Sequence, residues 1–297
     1  MPLPLNNLCR ARPLLGTFVE ITATGSGENT AKAIEAAFSA IEQVHRLMSF
    51  HGPESDVSRV NASEVGCEVE IDPQTYQVLQ FACELGDLSD GAFDIATADA
   101  LIRVGFLPCY RYATQLDPLA TYQDIELLGE HRLRWRRKGR IDLGGIAKGY
   151  AVDCAIAVLK SFGIDTGIVN AGGDLRCFGA AQQIHVRHPI TPTALVSVGW
   201  LTNASIATSG GYFAGISGDD GRIEPLVDPK QRACTSWGES VSVVAPDCMT
   251  ADALTKIVRL VPERAPELLD RFKAQAVVID DQSMRTCGAM LLQKDMI

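Results

Sequence analysis

The sequence predicts an α+β fold, in one domain over residues 1–297. Residues 16–23 alternate apolar and polar side chains, the period of a half-buried strand. A long pattern of helical period follows at once. The second half of the chain then reads as short strands that do not alternate strictly with helices, which disfavours a doubly wound parallel sheet.

After a loose start, the strand at 16–23 runs into a turn at Gly25, Gly27 and Asn29. From 30 to 50, Ala33, Ala36, Ala37, Ala40, Ile41, Val44 and Leu47 share one side of a helix. A second helix covers 73–88, opened by Asp72 as its cap and Pro73 at its first position. A third follows Asp94, and 108–131 reads as irregular. The basic run Arg132, Arg134, Arg136, Arg137, Lys138 and Arg140 alternates with Leu133 and Trp135. It reads as one hairpin arm with a solvated face, contact with an anion being the other reading.

Residues 141–145 lead from a strand into a helix at 146–162, followed by a strand at 167–170. Further strands fall at 184–188, 195–201, 204–208 and 240–245, with turns at Asp219-Asp220-Gly221 and Asp228-Pro229. A helix opening at Thr250 or Ala251 ends near 260, another covers 262–273, and a strand at 275–280 closes the pattern.

With 46 % hydrophobic and 21 % charged residues, the composition excludes disordered and fibrous chains. A net charge of −9 argues against nonspecific binding to nucleic acid or an anionic membrane. No window holds the roughly 20 apolar residues of a membrane span. Nine cysteines, an odd number without a Cys-x-x-Cys pair, point to free thiols in a reducing compartment. The N-terminal stretch carries no charged segment followed by an apolar run of roughly 7–15 residues. The expectation is a cytoplasmic protein, periplasmic only if a leader has been removed.

The densest chemical signal runs from Asp142 to Asp153. A strand ends in Asp142, Gly144 and Gly145 turn the chain, and a helix begins directly. Free N–H groups and the positive helix end then face whatever sits in the turn, and Lys148 adds a mobile positive charge. This is an anion site or an ordinary strand-to-helix turn; neither a P-loop nor a dinucleotide fingerprint is present. The glycine turn from Asn170 to Asp174 offers a second Asn and Asp. Asp94 reads as a helix cap. Asp252, in the first turn of its helix and four residues before Lys256, reads as half of an ion pair. The five histidines form no metal-ligand spacing, and Ser209-Gly210-Gly211 is not a nucleophile elbow.

Leu15-Gly16-Thr17-Phe18, the stretch from Met48 to Asn61, Gly91-Ala92-Phe93-Asp94 and the stretch from Asp142 to Asp153 occur in that order. Val169 to Asp174, Asp228-Pro229 and Ala251-Asp252-Ala253-Leu254 follow. Taken together these pieces resemble the ApbE family, the flavin transferases. The resemblance implies an α+β fold of two T-fold-like halves in one compact unit. It implies FAD as substrate, Mg²⁺ as metal, and transfer of FMN to a Thr or Ser hydroxyl of an acceptor protein. Carried over motif by motif, the flavin contacts fall on Leu15, His51, Ala92, Phe93, Asp94, Asp142 and Lys148. The metal ligands fall on the Gly145 carbonyl, the Asp252 carboxylate and, one helical turn later, Thr255 or Lys256. The implied partners are FAD and an acceptor protein, with no nucleic acid and no membrane span.

The chain departs from that family's pattern at informative places. Leu15 replaces a Met, His51 a Tyr, and Ala96 a Thr. Pro225 stands where the family has the His of His-x-x-Asp-Pro, its general base toward the acceptor hydroxyl. Gln231-Arg232 replaces Thr-Gly, and Lys256 replaces a Thr. An ammonium at 256 lies where a metal ligand should stand and could neutralise Asp252 without metal. Two readings follow. One is a working FAD:protein FMN transferase with shifted roles, using Thr255 for metal and His51 or His188 as base. The other is a flavin-binding member with little or no transferase activity, serving as a sensor or assembly factor.

Overall fold

The computed structural model of the chain describes residues 6–25, 27–110, 116–191, 193–210, 215–218, 221–236 and 238–292. Its helices are α1 (Gly27–Met48), α2 (Asp56–Ala62), α3 (Pro73–Leu88), α4 (Ala98–Val104), α5 (Ala147–Ser161), α6 (Cys248–Leu260) and α7 (Ala265–Arg271). The strands begin with β1 (Asn6–Leu14), β2 (Thr17–Gly25), β3 (Val69–Glu70), β4 (Ile125–Leu128), β5 (Arg132–Trp135) and β6 (Thr166–Ala171). They continue with β7 (Asp174–Phe178), β8 (Gln182–Arg187), β9 (Leu195–Leu201), β10 (Ser205–Ser209) and β11 (Ile216–Gly218). β12 (Gly221–Asp228), β13 (Ala233–Ser236), β14 (Ser240–Ala245), β15 (Gln275–Ile279) and β16 (Met284–Gly288) complete the set. The architecture is α+β, as the sequence predicts.

The residues gather into two compact units. The first comprises Met1–His45, Lys148–Tyr212 and Gly238–Ile297; the second comprises Arg46–Ala147 and Phe213–Trp237.

At the centre of the first unit lies an eight-stranded sheet in the order β1-β2-β6-β7-β10-β14-β15-β16. Every neighbouring pair in it is antiparallel. Antiparallel neighbours need only short connections, so helices need not separate the strands. β14 is buried along its whole length, as befits a strand covered on both faces. The β8–β9 hairpin brings Ile184, Val186 and Leu201 into one core with Ile206, Val244 and Val277 of the sheet. On α1 the buried stripe is Ala33, Ile34, Ala37, Phe38, Ile41 and Val44. Ala36, Ala40 and Leu47, expected on that stripe, are half-buried, because Ile34 and Phe38 bury more apolar area than the alanines do.

The loose start is in fact β1. Leu15 and Gly16, with φ of 55° and 71°, form the two-residue turn that pairs Leu14 with Thr17. Arg10 and Arg12 of β1 both reach Glu35 of α1.

α5 and α6 meet closely at Gly149. A Cβ there would collide with the Cys248 carbonyl and lie 2.9 Å from the Asp252 Cβ. One turn further along α5, Asp153 accepts the Cys248 and Met249 amides, each at 2.9 Å. Asp247 caps α6 as well, accepting the Thr250 amide at 2.8 Å. With these caps α6 begins at Cys248, two or three residues before the expected start at Thr250 or Ala251, so Asp252 stands in the second turn rather than the first.

In the second unit, α3 matches its expected bounds, with Asp72 accepting the Gln74 amide and Pro73 at the first position. β3, β5 and β4 form one three-stranded sheet and β11, β12 and β13 another. The helix after Asp94 is α4, starting at Ala98. The stretch expected to be irregular holds a 3-10 turn at Tyr122–Asp124 and β4; its residues 111–115 lie outside the described residues. No strand forms at Ile141 and Asp142. Asp219 and Asp220 also lie outside the described residues, while Asp228 makes its turn by accepting the Lys230 amide.

The basic run forms the expected hairpin arm with a solvated face as far as Arg137. Arg132, Arg134, Arg136 and Arg137 reach solvent around buried Leu133 and Trp135, whereas Lys138 and Arg140 are buried. β5 ends at Trp135, and every cation of the run lies against an acceptor. Arg132 meets Glu68, and Arg134 and Arg136 share Glu126. Arg137 lies 3.6 Å from Asp117 and Asp124, and Arg140 2.9 Å from Asp99. Lys138 is buried, donating to the Val60 and Asn61 carbonyls. Among the described residues, no helix is long and apolar enough to cross a membrane.

Gly149→Ala is expected to destabilise the protein by about 2–3 kcal/mol through overpacking against α6. Gly238→Ala, where a Cβ meets nothing within 4 Å, is the control. Urea unfolding of both variants checks this; equal midpoints would show that α5 and α6 separate at no cost.

Candidate functional site

In the first unit, α5 and α6 and the start of β7 bring four charged side chains together. Lys148, in the first turn of α5, contacts Asp174 at the start of β7 and lies 3.7 Å from Asp252 Oδ2. Lys256, one turn after Asp252, contacts Asp252 Oδ1 and donates to the Asp252 carbonyl at 2.9 Å. Asp252 Oδ2 also accepts the Gly149 amide at 3.2 Å. Asp174 and Asp252 are only 2 % and 1 % exposed, so these contacts replace their water.

Burial works to raise the Asp252 carboxyl, but Lys148 and Lys256 outweigh it and hold the group below its usual range. Burial and the neighbouring Asp252 charge push Asp174 up, against the pull of Lys148. Lys148 itself is lowered by burial and more than restored by Asp174 and Asp252, ending above its usual range. The Cys248 thiol is driven well up by burial and by the surrounding carboxylates, so it offers no thiolate. Arg176 reaches Asp153 and ties β7 to α5.

The glycine turn before β7 is built by its own residues. Asn170 Oδ1 accepts the Gly173 amide at 2.9 Å, and Gly172 and Gly173 take φ of 66° and 106°. Asn170 is thereby a turn former, whereas Asp174 belongs to the charged cluster.

In the second unit, Ser55 caps α2 by accepting the Ser58 amide at 3.0 Å and donates to the Ser49 carbonyl, while Ser58 donates to the Gly52 carbonyl. The serines between Met48 and Asn61 therefore shape the turn that carries exposed His51. Beside it, Phe50 stacks on Tyr110, with ring centres 6.0 Å apart. Asn61, fully buried, exchanges two hydrogen bonds with the Ile141 main chain. The next amide, of Asp142, donates to the Ile95 carbonyl at 2.9 Å, which joins the Asp142 segment to the Asp94 turn.

Asp94 does not cap a helix through its side chain as expected. Its Oδ1 accepts the Ala96 and Tyr122 amides at 2.7 and 2.9 Å. Burial pushes its carboxyl up to about 6, against those two amides and Arg232. It lines a cavity of about 350 Å³ together with Thr97, Asp99, Arg103, Arg140 and Arg232. Arg232 also donates to the Pro118 and Ala120 carbonyls.

The profile of the ApbE family matches residues 15–279. The chain belongs to the ApbE family. A Haemophilus influenzae protein described as an FAD:protein FMN transferase is 27 % identical over 270 residues, which cover 84 % of this chain and 77 % of that protein. A Vibrio cholerae protein of the same description is 28 % identical over 229 residues, 72 % of this chain and 69 % of its own length. The crystal structure of the ApbE protein of Thermotoga maritima superposes with a TM-score of 0.83 at 27 % identity, covering 96 % of this chain and 97 % of that one. The apo flavinyl transferase ApbE of Pseudomonas stutzeri gives 0.81 at 24 % identity and full coverage of both chains.

Of the ApbE-derived flavin positions, Leu15 and Lys148 belong to the first unit and His51, Ala92, Phe93, Asp94 and Asp142 to the second. Leu15 sits at the tip of the β1–β2 turn in a left-handed conformation that costs a leucine energy. Ala92 and Phe93 are buried in the packing. Three amides expected to be free around the Asp142–Gly145 turn are already used. Gly144 donates to Asp142 Oδ2, and Ile146 and Ala147 donate to the Leu143 carbonyl.

Of the ApbE-derived metal positions, Gly145 falls in the second unit and Asp252 and Thr255 in the first. Thr255 Oγ1 donates to the Asp252 carbonyl at 2.7 Å, and both Asp252 oxygens face nitrogen donors. Among the described residues, no three His, Cys, Asp or Glu side chains gather as a metal-ligand group. Mg²⁺ demands several oxygen ligands in near-octahedral array. A carboxylate enclosed by two ammoniums and an amide does not fit it. Asp174 was offered by the glycine turn from Asn170 to Asp174, whereas Asp153 and Asn61 were not singled out from the sequence as site residues; their only signal was their place inside the matching motifs.

Lys148→Met leaves Asp174 buried without its ammonium. It is expected to cost about 3 kcal/mol at pH 8 and progressively less as the pH falls, because Asp174, already held above its usual range by burial, escapes its unpaired charge by taking up a proton. Thermal melts at pH 8 and at successively lower pH check this. Asp94 gives the opposite sign of test. Below about pH 4 it is protonated folded or unfolded. Between there and about 6 only the folded state holds the proton, so stability falls as pH rises, and above 6 the full burial cost remains. Asp94→Asn keeps an acceptor for both amides. It should add up to about 3 kcal/mol above that range and nothing near pH 4; a gain equal at pH 4 and 8 would contradict the assignment.

Proposed function

We propose that this chain is a flavin transferase that moves FMN from FAD onto a Thr or Ser hydroxyl of an acceptor protein. FAD and FMN come from the names of its relatives, and the hydroxyl acceptor from the family resemblance. The observation that carries the reading is the placement of Lys148. It stands at the positive end of α5, directly after the Asp142–Gly145 turn, and is fixed by Asp174. A held ammonium at a helix N-terminus suits a diphosphate, and positive charge already in place stabilises a phosphoryl-transfer transition state.

In this reaction the acceptor oxygen attacks the phosphorus on the FMN side of the FAD diphosphate. A new P–O bond forms as the bond to the bridging oxygen breaks, and AMP departs with that electron pair. The hydroxyl proton ends, directly or through water, on the AMP phosphate. Pro225 offers no group for that proton. It lies exposed in β12, where the register with β13 shifts between Ile223 and Val227, a position that tolerates a residue without an N–H. His188 is a poor substitute, because its Nδ1 already accepts the Ile190 and Thr191 amides.

Purified protein, FAD and a set of Thr- and Ser-containing peptides are expected to yield AMP and a peptide heavier by one FMN. Pro225→His should raise that rate about 10²-fold, the usual worth of a general base. Tight FAD binding with neither AMP nor modified peptide would replace the transferase reading with that of a flavin-binding protein.

A further inference from the structure

The charges around Asp252 cancel: two buried carboxylates face two ammoniums, and each oxygen of Asp252 has a cation or an amide against it. Lys256 is not a loose surface side chain. It is 17 % exposed and bonded to both the side chain and the carbonyl of Asp252, one turn back on the same helix. Thr255, the remaining oxygen donor of that turn, has its hydroxyl turned onto the same carbonyl. A divalent ion placed on Asp252 would give a buried net positive charge beside Lys256 and Lys148, because the cluster's two carboxylates are already matched by its two ammoniums.

We infer that Lys256 is a built-in cation that takes the place of a divalent metal at Asp252, so that this chain handles its flavin nucleotide without metal. The flavin half of this inference rests on the function proposed above; the metal half does not. Lys256 neutralises Asp252 as Lys148 neutralises Asp174, so that both ammoniums stand as fixed donors near the start of α5. A lysine ammonium is a compact point charge with three donors, able to serve a phosphate as well as a carboxylate. Unlike an exchangeable ion, it is present at every metal concentration.

The first test follows free Mn²⁺ by electron paramagnetic resonance as ligand-free protein is added. Wild type is expected to leave the signal unchanged, and Lys256→Thr to bind one Mn²⁺. Stoichiometric Mn²⁺ binding by wild type overturns the inference, as does a folded Lys256→Thr that gains none. The second test is FAD affinity with Mg²⁺ and with excess EDTA. Wild type should bind equally in both, whereas Lys256→Met, which removes the charge without adding an oxygen, should weaken FAD about tenfold in both, the scale of one charge-assisted contact. Wild-type affinity that rises with Mg²⁺, or a Lys256→Met protein that binds FAD as wild type does, goes against it. If wild type binds no FAD under either condition, the proposed function fails, and the Mn²⁺ titration still decides the metal question.

Discussion

The arrangement of the first unit depends on how closely α5 approaches the beginning of α6. Only a glycine at 149 lets the helices come so near, because the Cys248 carbonyl occupies the space a Cβ would need. The approach is held by carboxylates meeting main-chain amides across the joint: Asp153 of α5 takes two amides of α6, and Asp252 of α6 takes the Gly149 amide of α5. Such charge-assisted bonds at a helix start also complement its dipole. Once the two helices are locked in this register, Lys148 and Asp252 are forced into one neighbourhood, and β7 delivers Asp174 to the same place. The charged cluster is thus a consequence of backbone proximity.

Much of this was legible locally. α3 with its Asp72 cap, and strands β9 and β14, fall where patterning puts them, because each satisfies its own period or cap without help from elsewhere. β1 was not, since its sequence carries Arg10, Arg12 and Pro13 without a clean alternation, and its pairing is fixed by the turn at Leu15 and Gly16. The shift of α6 toward the N-terminus came from Asp247 and Asp153, and the second of these lies in another helix altogether. The basic run was legible as far as Arg137, but the burial of Lys138 and Arg140 was not, because the Asn61 carbonyl and Asp99 that receive them come from other segments. The i,i+4 partnership of Asp252 and Lys256 was visible in the sequence; the convergence of Lys148 and Asp174 on it is tertiary and was not.

The second unit positions its motif residues by buried polar bonding. Asn61 clamps Ile141, Asp142 is tied to Ile95, and Asp94 holds the Ala96 and Tyr122 amides, so three separated stretches of sequence become one framework. Positions that depart from the family pattern are accommodated in the same way. Pro225 occupies an irregular place in its ladder, and Arg232 is bonded to main-chain carbonyls. These substitutions are built into the structure around them.

The strand order also sets when the protein can begin to fold. β2 pairs with β6, Val19 lying opposite Ala171, so about half the chain must leave the ribosome before that ladder can close. β10 waits for β14, and β15 and β16 come last. Closing such long loops delays non-local pairing and leaves strand edges uncovered during synthesis. Within the second unit, by contrast, the run from Arg46 to Ala147 is continuous and emerges before most of the sheet. Nascent chains therefore pass through a stage in which β1 and β2 can pair with each other while the other edge of β2 still waits for β6, an open strand edge of the kind that invites wrong pairing.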